Sequence, residues 1–325
     1  MKVLIIGGAG FIGINLINNF LKKKKYKIFV IDNLTYASNK KEISRLSKIK
    51  KINFFKVSIV DLIKIKKIIK FVKPDKIINF AAETHVDNSI LDPYPFIKTN
   101  IVGTYAILES IKDYYLNQKY SSKKIFKYIH ISTDEVYGDV KNKSNEMTRY
   151  NPSSPYSASK ASSDFLVKSW GRTYGIPYII TNCSNNFGPY QHNEKLIPKV
   201  INNFINGKSI PVYGKGNQKR DWIYVEDHIL ALEKIIKSNI INETFNISSG
   251  KTITNLQIIN TIKKIFEKKL KFTFKKNLIQ FVKDRPGHDN SYIVDSSKIK
   301  NKLKWKPKTS LEKGLLKTIN WYLNR

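Results

Sequence analysis

Two groups of reactive side chains occur near the middle of the chain. Tyr156 and Lys160 are spaced as Tyr-x-x-x-Lys, so one turn of a helix would place both side chains on the same face. A nearby ammonium favours the phenolate form of a tyrosine and lowers its pKa. Such a tyrosine can take the proton of a hydroxyl group while hydride leaves the same carbon. The spacing alone is weak evidence, because a lysine-rich protein contains several such pairs by chance.

The second group is the adjacent pair Asp134 and Glu135, within residues 132–138 (STDEVYG). Two neighbouring carboxylates repel each other, so one is more easily kept protonated while the other is ionised. An elimination reaction needs that combination of one acid and one base. An isolated Asp-Glu pair is usually part of a solvated loop. Here the pair directly follows an apolar run and precedes the Tyr-x-x-x-Lys, which favours an active site.

Alternating strands and helices are predicted to position these side chains. Short apolar runs typical of buried parallel strands lie at residues 3–6, 27–31, 52–57, 76–80, 128–132 and 178–182. Helical patterns lie between them, at residues 11–22, 61–71, 95–113 and 157–173. This order predicts an α/β fold, a Rossmann-type doubly wound parallel sheet, in which ligands bind beyond the carboxyl ends of the strands.

The pattern loosens after about residue 185. Proline, glycine and asparagine become frequent, and helices are predicted near residues 194–206, 226–237, 254–266 and 310–323. We therefore predict a Rossmann domain over residues 1–185, to which some later segments return. Residues 186–325 are predicted to form mainly a smaller α/β region that binds the substrate.

A glycine-rich turn joins the first predicted strand to the first helix, at residues 7–13 (GGAGFIG). Glycines allow the backbone to approach a pyrophosphate, and the helix N-terminus offers amide donors to it. Asp32 ends the second strand about 20 residues later, as a dinucleotide site requires. Its carboxylate can accept hydrogen bonds from the ribose hydroxyls and would repel a 2′-phosphate. The sequence therefore predicts NAD rather than NADP, and the positive nicotinamide ring would further favour the tyrosine phenolate.

Composition limits the other functions. The formal net charge of +33 suggests a polyanionic partner, but the lysines are spread along the whole chain, and no nucleic-acid-binding pattern accompanies them. We predict no nucleic-acid partner and no metal. No apolar run is long enough to cross a bilayer and no signal peptide is recognised, so no membrane association is predicted. The single cysteine, Cys183, is expected to be inert and fits a reducing cytoplasm.

These motifs and six further blocks resemble the dTDP-glucose 4,6-dehydratase family, within the extended short-chain dehydrogenases/reductases, along nearly the whole chain. The blocks lie at residues 81–87 (AAETHVD), 99–104 (TNIVGT), 185–190 (NNFGPY), 194–198 (EKLIP), 220–228 (RDWIYVEDH) and 284–289 (DRPGHD). So many matching blocks in the same order are hard to obtain by chance.

The resemblance implies a three-stage conversion of dTDP-glucose. Tyr156 would take the proton of the 4-hydroxyl as C4 gives hydride to NAD. Lys160 would orient the nicotinamide ribose, and Thr133 would hydrogen-bond the C4 oxygen. Glu135 would remove the C5 proton while protonated Asp134 releases the 6-hydroxyl as water. Return of the hydride to C6 and of a proton to C5 would complete the 4-keto-6-deoxy product.

The resemblance also implies two sets of binding residues. Those for the cofactor are Gly7, Gly10, Phe11, Ile12, Gly13, Asp32, Asn33, Leu34, Thr35, Ser58, Ile59, Phe80, Ala81, Ala82, Thr84, Thr99, Tyr156, Lys160 and Asn186. Those for the nucleotide sugar are Thr84, Thr133, Asn185, Lys195, Leu196, Pro211, Tyr213, Arg220, Asn255, Arg285 and His288. Arg220 and Arg285 are expected to bind the diphosphate, because a guanidinium matches the geometry of phosphate oxygens.

Four positions depart from the family pattern. Ser58 stands where an acidic residue is usual, Asn88 and Asn182 stand where arginine is common, and Phe187 replaces a tyrosine. None is expected to touch the reacting atoms, so these positions concern affinity rather than chemistry.

The sequence leaves other functions open. One is another nucleotide-sugar dehydratase or a 4-epimerase of the same superfamily, and a remote one is a non-catalytic nucleotide- or nucleic-acid-binding protein. An epimerase needs no acid pair, and GDP-mannose dehydratases usually carry a single acid and prefer NADP. The resemblance further implies a cytoplasmic homodimer, paired through a four-helix bundle of residues 95–113 and 157–173, and a role in making a deoxysugar such as rhamnose.

Overall fold

A seven-stranded sheet forms the centre of the protein. The computed structural model describes residues 1–118, 123, 125–140, 142–274 and 277–325. The strand order is β10-β6-β5-β4-β1-β2-β3, and every neighbouring pair is parallel. The strands are β1 (Lys2–Ile6), β2 (Lys27–Asp32), β3 (Asn53–Lys56), β4 (Lys76–Asn79), β5 (Lys127–Thr133), β6 (Tyr178–Cys183) and β10 (Glu243–Ile247).

Helices cover both faces of this sheet, which explains why its strands are apolar on both sides. On one face, the helices Phe11–Leu21 and Val225–Lys237 pack against Val3 and Ile5 of β1. The other face is covered by the helices Leu62–Val72, Gly103–Leu116 and Pro155–Tyr174, which pack in the same core cluster as Leu4 and Ile6. The predicted Rossmann-type α/β fold is confirmed.

The order of the strands reverses between β1 and β4, because β2 lies on one side of β1 and β4 on the other. The chain therefore leaves β1 towards one side of the sheet and β4 towards the other. This leaves a crevice at the carboxyl ends of β1 and β4. The glycine-rich turn after β1 and residues 80–84 after β4 open into this crevice.

A second region carries its own apolar core. It contains a three-stranded sheet in the order β11-β9-β7 and a two-stranded parallel sheet of β12 and β8. The strands are β7 (Asn185–Phe187), β8 (Ile210–Tyr213), β9 (Lys219–Tyr224), β11 (Thr252–Thr254) and β12 (Ile279–Val282). The helices are Leu196–Ile205, Asn255–Leu270 and Leu311–Leu323. Between these elements β10 returns to the central sheet; the predicted boundary at residue 185 stays a prediction.

Short helices complete the connections. They are the α-helices Lys40–Lys48, Val86–Leu91, Tyr94–Phe96 and Ser297–Leu303, the π-helix Ile97–Val102 and the 3₁₀ helix Asp134–Tyr137. Within the described ranges, none of the helices combines the length and the apolar character that a membrane span requires.

Candidate active site

The end of β5 places the acid pair at the crevice. All seven residues of β5 are buried, and the strand ends at Thr133, where a short 3₁₀ turn begins. The hydroxyl oxygen of Thr133 accepts a hydrogen bond from the Glu135 amide at 3.3 Å. Gly138 ends the turn at φ 73°, and a Cβ there would lie 1.9 Å from the carbonyl oxygen of Asn151. Only glycine therefore fits this position, and the turn is held in one conformation.

The start of the helix Pro155–Tyr174 places Tyr156 and Lys160. Ser154 caps the helix, accepting from the Ser157 amide at 3.1 Å, while Ser157 Oγ accepts from the Ser154 amide at 3.0 Å. Proline in the first turn suits a helix start, because its missing N–H would have no intrahelical partner. Both Tyr156 and Lys160 are buried, and Lys160 Nζ donates to the carbonyl of Ile131 at 2.7 Å.

The crevice brings most of the predicted site together. All five predicted catalytic residues line it, and so does every predicted cofactor-binding residue except Leu34. Among the predicted substrate-binding residues, Thr84, Thr133, Asn185 and Lys195 line it. The others, which do not, are Leu196, Pro211, Tyr213, Arg220, Asn255, Arg285 and His288.

The glycine-rich turn has the shape of a phosphate cradle. A Cβ on Gly7 would lie 2.4 Å from the backbone nitrogen of Ala81, and one on Gly13 would lie 2.7 Å from the Cα of Gly8. These glycines are therefore required by close packing of the chain on itself. A Cβ on Gly10 would meet only the carbonyl oxygen of Gly7, at 3.3 Å, so the space beside Gly10 is left for a ligand. No side chain of the described chain caps the helix that begins at Phe11, which leaves its first amides free to bind phosphate.

Asp32 is partly satisfied by the chain itself. Its Oδ2 accepts from the Ala9 amide at 2.9 Å, and its Oδ1 accepts from the Leu34 amide at 2.8 Å and Ser38 Oγ at 3.0 Å. A carboxylate has about four lone-pair positions, so roughly one remains for a ribose hydroxyl. Asp32 thus holds the loop after β2 and still faces the crevice. Sequence reasoning missed Ser38, which lines the crevice as well.

The two acids have different electrostatic surroundings. The pKa of Asp134 is held well above its usual range by burial first, and then by the charges of Glu135 and Asp221. Burial also raises the pKa of Glu135, but the positive charges of Arg220, Arg285 and Lys195 oppose that rise. Asp134 therefore favours the protonated form and Glu135 is the easier of the two to ionise. This is the split between acid and base that the sequence argument anticipated.

Burial dominates the pKa of Tyr156 in the chain alone. Burial, followed by the charges of Glu135 and Cys183, raises the pKa of this phenol well above its usual value. The ammonium of Lys160 donates to the carbonyl of Ile131, and burial lowers the pKa of this lysine. The prediction that Lys160 and the positive nicotinamide ring together lower the pKa of Tyr156 stays a prediction. Formation of the Tyr156 phenolate is favoured by a further positive charge, besides that of Lys160, next to the phenol ring.

Several of the predicted substrate residues form a cluster next to the crevice. Arg285 Nη1 lies 3.0 Å from Asp87 Oδ1, and the hydroxyl of Tyr213 donates to Asp87 Oδ2 at 3.1 Å. Arg220 is held by the carbonyl of Asp289 at 3.0 Å and stacks on the ring of Tyr292, with 4.3 Å between guanidinium carbon and ring centroid. Both guanidinium groups are thus fixed by their neighbours.

Asn100 is a structural residue that sequence reasoning did not assign. Its amide group bridges the loop after β4 to the helix Pro155–Tyr174, donating to the Glu83 carbonyl at 3.0 Å and to Ser159 Oγ at 2.8 Å. Its Oδ1 accepts from the Glu83 amide at 2.8 Å. The block at residues 99–104 that carries part of the family resemblance contains this residue, but a lone asparagine gives no signal for a buried bridge.

Comparison with known proteins identifies the family. The model of the GDP-mannose 4,6 dehydratase family matches residues 4–318. The dTDP-glucose 4,6-dehydratase of Salmonella typhimurium is 47% identical over 335 residues, covering 99% of this chain and 93% of that protein. This chain belongs to the dTDP-glucose 4,6-dehydratase family. The resemblance read from the motifs is confirmed.

Solved structures of dTDP-glucose 4,6-dehydratases share the fold. The enzyme of Bacillus anthracis, in complex with NAD, has a TM-score of 0.88 and 37% identity, covering 100% of this chain and 97% of that chain. The enzyme of Streptomyces venezuelae, with NAD and TYD bound, has a TM-score of 0.90 and 34% identity, covering 100% and 98%. The similarity therefore extends over both the central sheet and the second region.

Proposed function

We propose that the protein is an NAD-dependent dTDP-glucose 4,6-dehydratase that forms a 4-keto-6-deoxy sugar and water. The observation that carries the proposal is the position of Asp134 and Glu135. They lie at the end of β5, beside Tyr156, with their pKa values separated by burial and by three nearby cations. Names of full-length relatives support the same substrate.

NAD fits the crevice that the chain provides. The space beside Gly10, the uncapped helix start at Phe11 and the remaining acceptor position of Asp32 suit a pyrophosphate and an adenosine ribose. When bound, NAD would accept a hydride from the sugar and later return it. The protein groups that face it there are those at the carboxyl ends of β1, β2, β4 and β5.

The side chains then divide the chemistry. Tyr156 takes the proton of the sugar 4-hydroxyl, and Thr133 Oγ1 donates a hydrogen bond to the same oxygen. The resulting 4-keto group acidifies the C5 proton, which the ionised carboxylate of Glu135 removes. Asp134 gives its proton to the departing 6-hydroxyl, so that water leaves. Once hydride has returned to C6, protonated Glu135 gives a proton back to C5. Arg220 and Arg285 would bind the diphosphate and hold the sugar in position beside the reacting side chains.

Product analysis in D₂O separates this function from that of a 4-epimerase. Purified protein is incubated with NAD and dTDP-glucose, and the alkaline absorbance of a 4-keto-6-deoxy sugar is followed. Proton abstraction at C5 predicts deuterium at C5 of the product, whereas an epimerase leaves that position unlabelled and keeps the 6-hydroxyl. Turnover of UDP- or GDP-sugars without any of dTDP-glucose would move the assignment within the superfamily.

We also propose a homodimer formed through the helices around residues 95–113 and 157–173. Ile97, Val102, Tyr105 and Phe165 lie on these helices with 42% to 57% of their surface exposed, which is unusual for a group of large apolar side chains. A second copy of the chain would cover them. Replacing Phe165 by aspartate should give a folded monomer in size-exclusion chromatography with light scattering. An unchanged dimer would place the interface elsewhere.

A cytoplasmic location completes the proposal. The only cysteine, Cys183, is buried and donates to the carbonyl of Ser132 at 3.3 Å, and such a thiol persists in a reducing compartment. Fractionation of cells that express a tagged chain would test this location.

A further inference from the structure

Asp164 is a buried carboxylate to which none of the roles above applies. It lies on the helix Pro155–Tyr174 and is 0% exposed. Its Oδ2 accepts hydrogen bonds from Ser132 Oγ at 2.8 Å and from the Tyr150 hydroxyl at 3.0 Å. Its Oδ1 lies 3.5 Å from His130 Nε2 and has no hydrogen-bond partner in the described part of the chain. A buried carboxylate is costly unless a positive charge compensates it.

Lys160 supplies that charge from the same helix. The two residues are four positions apart, so their side chains lie on one face of the helix. Lys160 is itself buried, and its ammonium has one hydrogen bond, to the carbonyl of Ile131. Burial lowers the pKa of Lys160, and the charge of Asp164 acts in the opposite direction. Each of the two groups therefore offsets the burial of the other.

Asp164 is also connected to the acid pair, through a hydrogen bond with Ser132 of β5. Ser132, which donates to Asp164, directly precedes Thr133 and the turn that carries Asp134. Asp164 itself does not line the crevice. The end of β5 is thus hydrogen-bonded to this carboxylate, and Lys160 is affected by its charge.

We propose that Asp164 is a positioning residue that keeps Lys160 protonated and fixes the end of β5 against the catalytic helix. This inference rests on the proposed function for its kinetic readout. It assigns to Asp164 no contact with cofactor or substrate. Its effect on the reaction passes through Lys160 and Ser132.

Other ionisable groups surround Asp164 and Lys160. Those facing Asp164 are Lys160 and Lys168 on its helix, Tyr128 and His130 on β5, and Tyr137 and Tyr150. Those facing Lys160 are Asp164, His130 and Cys183. Burial holds the pKa of His130 well below its usual range and raises that of Cys183 to about 12, so both are neutral. Burial raises the pKa of Asp164 to about 6, against the opposing charge of Lys160.

The test is the pH profile of Asp164→Asn, which removes the charge and keeps the shape. A unit charge at roughly 5–6 Å in a protein-like dielectric is equivalent to about 2 pH units for its partner. The basic limb of kcat should therefore move about 2 units lower, while KM for dTDP-glucose changes by less than about twofold. Tyr150→Phe is the matched control, because it removes one hydrogen bond from the same carboxylate and leaves its charge. Its basic limb should stay in place.

The NAD dissociation constant and the variant Ser132→Ala provide two further tests of the role of Asp164. The dissociation constant of NAD, measured over the same pH range, should show the same shift in Asp164→Asn, and this readout needs no sugar. If dTDP-glucose is not turned over by the unaltered protein but the NAD curve shifts, the proposed function fails and the role of Asp164 stands. If Asp164→Asn does not fold, Ser132→Ala must move the acid side of the NAD dissociation-constant profile to higher pH, because Asp164 loses a donor to its charged form. The proposal would be overturned if the pH profiles of the folded Asp164 and Ser132 variants did not move. It would also be overturned if the basic limb of kcat moved equally far in Tyr150→Phe.

Discussion

Replacing Asp134 by asparagine tests the chemistry most directly. The residue is 2% exposed, its Oδ1 accepts from Thr133 Oγ1 at 3.3 Å, and its Oδ2 has no hydrogen-bond partner among the described residues. Its pKa is held well above the usual range by burial and then by the charges of Glu135 and Asp221. Asp134 therefore favours the protonated form. Asparagine has nearly the same shape, but it cannot give an acid proton to a departing hydroxyl.

The expected loss is that of one general acid. Such a group contributes about 10²–10⁴-fold, or about 3–5.5 kcal/mol of the barrier. Asp134→Asn should lower kcat for the keto-deoxy product by that factor. The first hydride step, which depends on Tyr156 and Lys160, should stay close to that of the unaltered protein.

The same substitution should raise stability. The folded pKa of Asp134 lies above the unfolded one, so the folded chain retains a proton that the unfolded chain releases. The resulting penalty is absent below the unfolded pKa, grows as the pH rises towards the folded pKa, and is constant above it. Asparagine carries no such penalty. At about pH 8 the variant should melt higher, by about 2 °C for each kcal/mol recovered.

Rapid mixing with dTDP-glucose gives the decisive signal. In Asp134→Asn, reduced cofactor should accumulate, because elimination is slow and the hydride cannot pass on to C6. Glu267→Gln is the control: it removes an exposed carboxylate whose contact with Lys263 is 3.8 Å long, and both steps should be unchanged. An unchanged dehydration rate in Asp134→Asn, or an equal loss of both steps, would refute the assignment of Asp134 as the acid.

Three further outcomes follow from the same geometry. Glu135 must be ionised to act as the base, so kcat should fall as the pH drops through its raised pKa. Arg285→Ala should move that limb to higher pH, because Arg285 opposes the rise, and steady-state profiles of both proteins would show it. Arg285→Ala should also raise KM by about 10–100-fold, since a charged diphosphate contact of about 1.5–3 kcal/mol is lost; an unchanged KM would contradict the phosphate role. Gly7→Ala should cost about 1–3 kcal/mol of stability, because its φ is 75° and the new Cβ would meet Ala81 N at 2.4 Å. Thermal melts with and without NAD should show both a lower midpoint and a smaller gain from NAD, and equal gains in the two proteins would count against the cradle.

Local patterns made much of the fold predictable. The four residues 3–6 are apolar and all fully buried, which is the signature of a strand covered on both faces. The turn at residues 7–13 also needs only neighbouring residues to be recognised. The helix Lys40–Lys48 was missed, because it is short, and only Ile43 and Leu46 among its nine residues are buried. A pattern this sparse does not predict a helix.

Features of the site that depend on distant residues could not be predicted. The bridge from Asn100 to Glu83 and Ser159 joins three separate segments. The support of Arg220 by the Tyr292 ring spans more than seventy positions of the chain. The pKa of Tyr156 depends on how deeply the folded protein buries it, which no spacing of residues indicates. Residue types indicated which side chains could react. The protonation state of those side chains depends on tertiary packing.

The return of β10 to the central sheet ties the two halves of the chain together. Residues 243–247 pair with residues 179–183 of β6, which would otherwise be the edge of the sheet. A fragment cut after residue 185 would leave the backbone amides and carbonyls of that edge open to pairing with other chains. Such a fragment should aggregate rather than bind dinucleotide as an independent unit. Transfer of the cofactor half of this protein to another enzyme would therefore have to include residues 243–247.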